Sequence, residues 1–387
     1  MENFLSDLSV LLVITGILSA LAVLLKQPVI IAYILSGAVI GPGMLGWVQN
    51  LGFIETISHL GVTLLLFLAG LNLHPQKLLR VFKKATLVTF SNSFFSFGLA
   101  FLGARIFGFK TGESLCIALA LMFSSTILTV KLLSTTQLHH ERMGAACIGV
   151  LIMQDLLAVA VLAFIRCLGG DANPVVSFFI LSFKLVAFII LLVVFEQFVL
   201  FRIMKFVDRM HEVLFVLGLA WCLGVASISN AMGLFYESGA FFAGVVLARQ
   251  PISRFIADKL QPLRDFFLVL FFFSLGAKLD IFVLQNIFVP AALLAAAFIV
   301  LKPFAFKYAF VAVGESAPFA AEAGARLGQL SEFSLLIAIL AAEMNLMSSA
   351  GAQFVTLTTV LTFIVSSYVI VYRYPTPIGV REGLIKD

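Results

Sequence analysis

Apolar residues in this chain come in long blocks of about 20 residues, and a block of that length is what a helix needs to cross ~30 Å of hydrocarbon. Thirteen such blocks, at 7–25, 28–46, 54–73, 84–107, 113–133, 143–167, 175–199, 212–229, 233–249, 262–278, 284–308, 317–343 and 348–372, fill nearly the whole sequence. Inside lipid every backbone N–H and C=O needs an internal partner, which leaves only helices or a closed barrel. Barrel strands alternate with a period of two, and runs such as ILLVVF (190–195) and AALLAAAFIV (291–300) do not. Of the 387 residues 61% are hydrophobic and 12% charged, whereas a soluble domain carries roughly 25% charged residues. The sequence therefore reads as an all-α polytopic membrane protein with about thirteen transmembrane helices.

The amino terminus, MENFLSDLSVLLVITG, has neither a basic n-region nor a small-residue cleavage site, so the first block is expected to be a span rather than a removable signal. Basic residues crowd into alternate connections. Lys77, Arg80, Lys83 and Lys84, then Arg202, Lys205 and Arg209, then Arg249, Arg254, Lys259 and Arg264, and finally Arg373, Arg381 and Lys386 share one side; only Arg105, Lys110, Arg166 and Lys278 fall on the other. This positive-inside pattern predicts an outside amino terminus and a short cytoplasmic tail at 374–387 in an inner membrane. It also accounts for the formal charge of +5 without a nucleic-acid partner. Cys116, Cys147, Cys167 and Cys222 lack pairing or metal-ligand spacing and read as small core residues.

The sequence repeats itself weakly. AYILSGAVIGP in the second block is echoed by YESGAFFAGVVLA in the ninth, and LLLFLAGLNL in the third by VLFFFSLGAKLD in the tenth. Each pair is seven blocks apart, and an odd offset reverses orientation. Residues 1–168 and 212–373 are thus expected to form two inverted six-helix repeats joined by a linker helix at 175–199, a build common among secondary transporters.

Chemistry is sought among ionisable groups inside the blocks, because each costs at least ~2.5 kcal/mol to insert. Asp155, in GAACIGVLIMQDLLAVAVLAF, is too far from either end to snorkel. Burial disfavours its charged form, so a proton and a bare cation are expected to compete for it. Gln154 beside it offers a carbonyl ligand, a cap for a broken helix, or packing. Ser124, Ser125 and Thr126, with Thr129, put hydroxyls halfway along the fifth block. They either bond an unwound backbone whose carbonyls are left for a dehydrated cation, or bond back within an intact helix. The twelfth block, GARLGQLSEFSLLIAIL, is polar at the same depth, and two discontinuous helices crossing there would aim charges of both signs at the midplane. Glu332 suits the positive half-helix ends. Lys302, ahead of the helix-kinking Pro303, suits the negative ends or Asp155, or carries protons itself. Arg326 and Glu322, four apart, read as a local pair. Glu237 and Lys184 read as structural and interfacial, the five histidines as solvated loop residues, and the 41 phenylalanines as packing and lipid-facing bulk.

With these residues the chain resembles the membrane domain of Kef-type potassium efflux systems in the monovalent cation/proton antiporter family. The resemblance rests on YILSGAVIGP, FLAGLNLHPQKL, LMFSSTILTVKLL, VLIMQDLLAV, ESGAFFAGVVLA and GQLSEFSLLIAIL, and it runs along essentially the whole sequence. It implies a sodium/proton antiporter-like fold and a homodimer in lipid, with spans 1–3 and 8–10 as a dimerisation scaffold. Spans 4–6 and 11–13 would form a moving core, with a monovalent cation at Asp155 beside two broken helices and Lys302 nearby. The Gln154–Asp155 pair looks like the potassium-type branch; sodium-specific relatives usually show Asp-Asp or Asn-Asp. Leu330 and Ser331 stand where the family usually has glycines and Asn72 where it often has an acid, and a cytoplasmic regulatory domain or subunit of the Kef kind is expected to lie outside this sequence. The expectation is a transporter, not an enzyme, without a cofactor. It would exchange K+, or alternatively Na+, for protons by elevator-like movement. A gated K+ channel using the same site and a non-transporting sensor subunit are the alternatives.

Overall fold

A computed structural model describes residues 2–25, 27, 29–48, 51–71, 75–132, 138–168, 174–207, 210–234, 236–250, 252–279 and 281–376. Asn72 and His74, the side chains of Glu237, His139 and His140, and the tail beyond Thr376 lie outside the described residues. Among the described residues every apolar block contains helix, and several helices outrun their blocks. In chain order they are α1 (Glu2–Leu24), α2 (Val29–Ile40), α3 (Leu51–Leu71), α4 (Pro75–Ile106), α5 (Thr111–Ala120), α6 (Thr126–Lys131), α7 (Leu138–Leu168), α8 (Pro174–Phe195), α9 (Phe201–Phe206), α10 (His211–Ala231), α11 (Tyr236–Leu247), α12 (Ser253–Ala277), α13 (Ile281–Ala312), α14 (Ala317–Arg326), α15 (Glu332–Glu343) and α16 (Ser349–Arg373). A π-helical stretch, Glu196–Leu200, joins α8 to α9. The sequence reading starts the fourth and tenth spans near 84 and 262, yet α4 begins at Pro75 and α12 at Ser253. Lysine and arginine are good helix formers, so the helices run on where hydropathy stops. Among the described residues eight helices are long and apolar enough to cross a membrane, and α2, α5 and parts of α3 and α11 are shorter apolar helices. Many large apolar side chains face outward, among them Phe94, Ile106, Phe183 and Phe206. That is expected where the solvent is lipid.

The chain divides into two compact units. The first contains residues 1–15, 33–79 and 171–278. Its α3 packs on α11 and α12, and α10 packs on α11. Glycine decides how closely these helices cross. A Cβ on Gly37 would lie 1.9 Å from Phe273 O, and one on Gly276 would lie 1.9 Å from Ile34 O, so α2 and α12 meet backbone to backbone. The same reciprocal contact joins α3 to α11, where a Cβ on Gly70 would come 2.2 Å from Phe241 O and one on Gly244 2.1 Å from Phe67 O. Close approach of this kind is the membrane substitute for a hydrophobic driving force between helices. Beside it, Phe67, Phe188, Trp221, Cys222 and Leu247 fill one apolar cluster.

The second unit contains residues 16–32, 80–170 and 279–387. In it α13 packs on α14 and α16, and α15 packs on α5, α7 and α16. Two of its predicted spans are interrupted, at 121–125 between α5 and α6 and at 327–331 between α14 and α15. The two halves of this unit keep one register. Pro75 and Ile106 bound α4 as Ile281 and Ala312 bound α13; Thr111 and Ala120 bound α5 as Ala317 and Arg326 bound α14. Across the breaks, Thr126 opens α6 as Glu332 opens α15, at the same constant offset. All four cysteines are buried and free.

Candidate ion site at two broken helices

Each break exposes backbone that an intact helix would satisfy, and the surrounding side chains take up those groups. Gln154 Oε1 accepts from Ser124 N at 2.9 Å, and at the counterpart position Thr362 Oγ1 accepts from Leu330 N at 3.1 Å. Ser125 Oγ accepts from Leu128 N, while Ser331 is the N-cap of α15 and accepts from Phe333 N. Ser331 and Leu330 stand where glycines were expected. The helix breaks there because Ser331 has an extended backbone and a capping hydroxyl, and Thr362 receives the freed amide.

Lys302 Nζ donates to Phe123 O and, at 3.1 Å, to Gln329 O, one carbonyl from each break. The two carbonyls are counterparts in the repeat register. Its side chain is 0% exposed and lies over the Phe298 ring at 5.9 Å. The ammonium therefore meets the carbonyl ends of both α5 and α14, where the partial charge is negative. Glu332 is the first residue of α15, at a positive end.

Asp155 is 4% exposed and accepts from Thr126 Oγ1 at 3.3 Å. It also interacts electrostatically with Glu332. The structure thus brings Asp155, Gln154, Ser124, Thr126, Glu332 and Lys302 to the paired breaks. Ser125 bonds the backbone of α6 instead of the carboxylate. Carboxylate, hydroxyl and amide oxygens make a donor set suited to a hard cation. Among the described residues no three His, Cys, Asp or Glu side chains cluster as metal ligands would.

Other predicted positions are less local than their spacing implies. Arg326 does pair with Glu322 at 2.8 Å, but it also donates to Leu132 O and Pro375 O and is buried. Lys184 donates to Met232 O at 3.1 Å, His59 is exposed, and His211 stacks near Phe255. Gln329 escaped the sequence reading. It donates to Thr129 Oγ1 at 2.8 Å and to Arg326 O at 2.9 Å and accepts from Ser366 at 3.2 Å, tying both breaks to α16. Its only signal was a polar residue inside the GQLSE stretch. Glu196 escaped too, buried at the start of the π-helical stretch with Gln250 Nε2 on one oxygen.

Two interrupted helices meeting within one unit of a polytopic bundle, around a buried carboxylate, define a broken-helix membrane transporter. Within that class the chain belongs to the sodium/hydrogen exchanger family, whose transmembrane domain matches residues 9–371. Its relatives include the iron transporter MagA of Paramagnetospirillum magneticum, 30% identical, covering 89% of this chain and 80% of MagA. The putative cation/proton antiporter YbaL of Escherichia coli is 31% identical over 92% of this chain and 66% of its own length. K(+) efflux antiporter 5 of Arabidopsis thaliana is 31% identical over 73% of this chain, and the match spans 51% of that protein. The fold is that of the sodium proton antiporter MjNhaP1 from Methanocaldococcus jannaschii, with a TM-score of 0.70, 16% identity, and 95% and 96% of the two chains covered.

Proposed function

We propose that this chain exchanges a monovalent cation, K+ in preference to Na+, for protons, with Asp155 as the site the two ions share. The observation that carries the reading is Asp155 itself: a buried carboxylate whose hydroxyl partner Thr126 and electrostatic neighbour Glu332 open the half-helices beyond the two breaks. A carboxylate so placed takes either a proton or a cation stripped of most of its water, with oxygens from Thr126 and Gln154 completing the cation's shell. Neutralised by either, it crosses; bare, it does not, because an unpaired charge at mid-membrane costs several kcal/mol. That prohibition couples the two fluxes. Lys302 and Glu332 offset the partial charges of the helix ends, and exchange of one monovalent cation per proton moves no net charge.

The second unit, which holds both breaks, is the part proposed to move as an elevator. The first unit, bound through its glycine crossings, is the proposed scaffold of a homodimer. The common register of α4–α6 and α13–α15 and the paired glycine crossings support two inverted repeats and thirteen spans. Alternation of basic loops supports an outside amino terminus in a bacterial inner membrane. Purified chain reconstituted into vesicles with a trapped pH dye tests the function. Imposed K+, Na+ or Li+ gradients are expected to drive proton movement, strongest with K+, and Asp155→Asn to abolish it. Retained coupling in Asp155→Asn would sink the proposal, and currents at constant pH would replace exchange by a channel.

A further inference from the structure

Thr89, Asn92, Ser93 and Ser96 recur at helical spacing along one face of α4, and all are at most 1% exposed. Thr89 Oγ1 donates to Val150 O of α7 at 3.3 Å. The other three make no hydrogen bond: both amide atoms of Asn92 and the hydroxyls of Ser93 and Ser96 are buried without a partner. Helix serines ordinarily bond back to a carbonyl in the preceding turn, and these do not. Buried polar groups are held for something.

Two independent relations place this stripe beside the ion site. Ala85 and Val88 share an apolar cluster with Met143, Cys147, Val150 and Leu151, and Thr89 meets Val150. On both helices the cluster residues precede or adjoin that bond, so α4 and α7 run the same way. One turn further along, Asn92 and Ser93 come level with Gln154 and Asp155. The repeat register gives the second relation. Ser96 is the counterpart of Lys302, whose ammonium reaches both breaks. In that register the α4 stripe corresponds to the stretch of α13 from which Lys302 reaches the crossing. On α7 and at the first break, Gln154 Nε2 and Ser124 Oγ are likewise buried without a hydrogen bond.

We propose that Asn92, Ser93 and Ser96, with Ser124 and Gln154, form a neutral polar subsite that holds the transported monovalent cation, still partly hydrated, beside Asp155. The inference rests on the exchange reading above and adds to it a group of ligands from a helix the sequence did not implicate. The amide and hydroxyl oxygens of Asn92, Ser93, Ser96 and Ser124 can coordinate a hard cation and the Gln154 amide nitrogen can donate to its water, and carrying no charge these groups leave Asp155 as the carboxylate for which proton and cation compete. The last waters then come off in a polar station instead of at the carboxylate.

The test is K+-dependent proton movement by the full chain in vesicles, with the half-saturating K+ concentration read separately from the maximal rate. Asn92→Leu and the double variant Ser93→Ala/Ser96→Ala are expected to raise half-saturation at least fivefold. The rate at saturating K+ should stay within twofold and its pH profile unmoved. Should Asn92→Leu fail to fold, the serine double variant decides. Native half-saturation in a double variant that melts like the native chain overturns the inference. Asp155→Asn is run alongside: loss of exchange there with native α4 variants removes only this inference, whereas retained exchange removes the underlying function as well.

Discussion

Replacing Lys302 by methionine removes a side chain that donates to a backbone carbonyl of each break while nearly keeping its length and bulk. Two hydrogen bonds from an ammonium to buried carbonyls are lost, each worth ~1.5–3 kcal/mol, so the gross loss is about 3–6 kcal/mol. Methionine returns about 1 kcal/mol through the apolar burial of its terminal group. The ammonium makes its hydrogen bonds to carbonyls, so its removal strands no carboxylate. The net expectation is a destabilisation of about 2–5 kcal/mol. A domain of 150–250 residues loses ~2–4 °C per kcal/mol and a larger one less, so at about 2 °C per kcal/mol the melting midpoint of purified Lys302→Met in detergent should fall by about 4–10 °C. Intrinsic fluorescence or a thiol-reactive dye on the buried cysteines reads it directly. An unchanged or higher midpoint would refute the claim that Lys302 stabilises the break carbonyls. It would show that burying the ammonium costs more than its bonds return.

Gly70→Ala and Gly244→Ala force a methyl into a carbonyl of the facing helix and are each expected to cost ~1–3 kcal/mol, seen as a lower melting midpoint. Gly98→Ala, where nothing lies within 4 Å, should melt unchanged or slightly higher. Gln154→Leu leaves Ser124 N without its acceptor and should lower the midpoint by the equivalent of ~1–3 kcal/mol; a neutral result would exclude its capping role. Glu315, between α13 and α14, is held below the usual carboxylate range, chiefly by the hydrogen bond from Lys84 at 2.9 Å and also by Arg142 at 2.6 Å. Because its folded value is the lower one, its stabilisation is present above the unfolded value of ~4.3 and fades as pH falls through the folded value. The melting difference between native chain and Glu315→Gln should thus be largest near neutrality and vanish in strong acid.

The burial of Asp155 was legible because it lies deep in an apolar block, and the first break was legible in part, since the hydroxyls at Ser124–Thr126 fit either an unwound backbone or an intact helix. Both signals are local. The second break was legible only through its polar counterpart, since Leu330 and Ser331 are not helix breakers by propensity. What opens the helix is Thr362, distant in sequence, taking the amide of Leu330. Lys302 was suspected, but nothing in its neighbourhood names Phe123 O and Gln329 O, because carbonyls belong to every residue and their exposure follows from the fold. Asn92, Ser93 and Ser96 were silent for a related reason. A serine or asparagine in a membrane helix is unremarkable until its partners are counted. Glu196, near the end of its block, was not singled out in the sequence and proves buried.

The tie between Lys302 and the two breaks uses main-chain oxygens at 123 and 329, positions occupied by phenylalanine and glutamine. What the bond to Lys302 requires of the polypeptide is a number, five residues between half-helices in each half, while the Gln329 side chain answers separately to Thr129, Arg326 O and Ser366. Replacing Phe123 by another apolar residue should therefore be tolerated far better than the loss or gain of a single residue. A length change in one gap would be expected to survive only alongside a matching change in the other. Heredity at this crossing acts on spacing before it acts on identity.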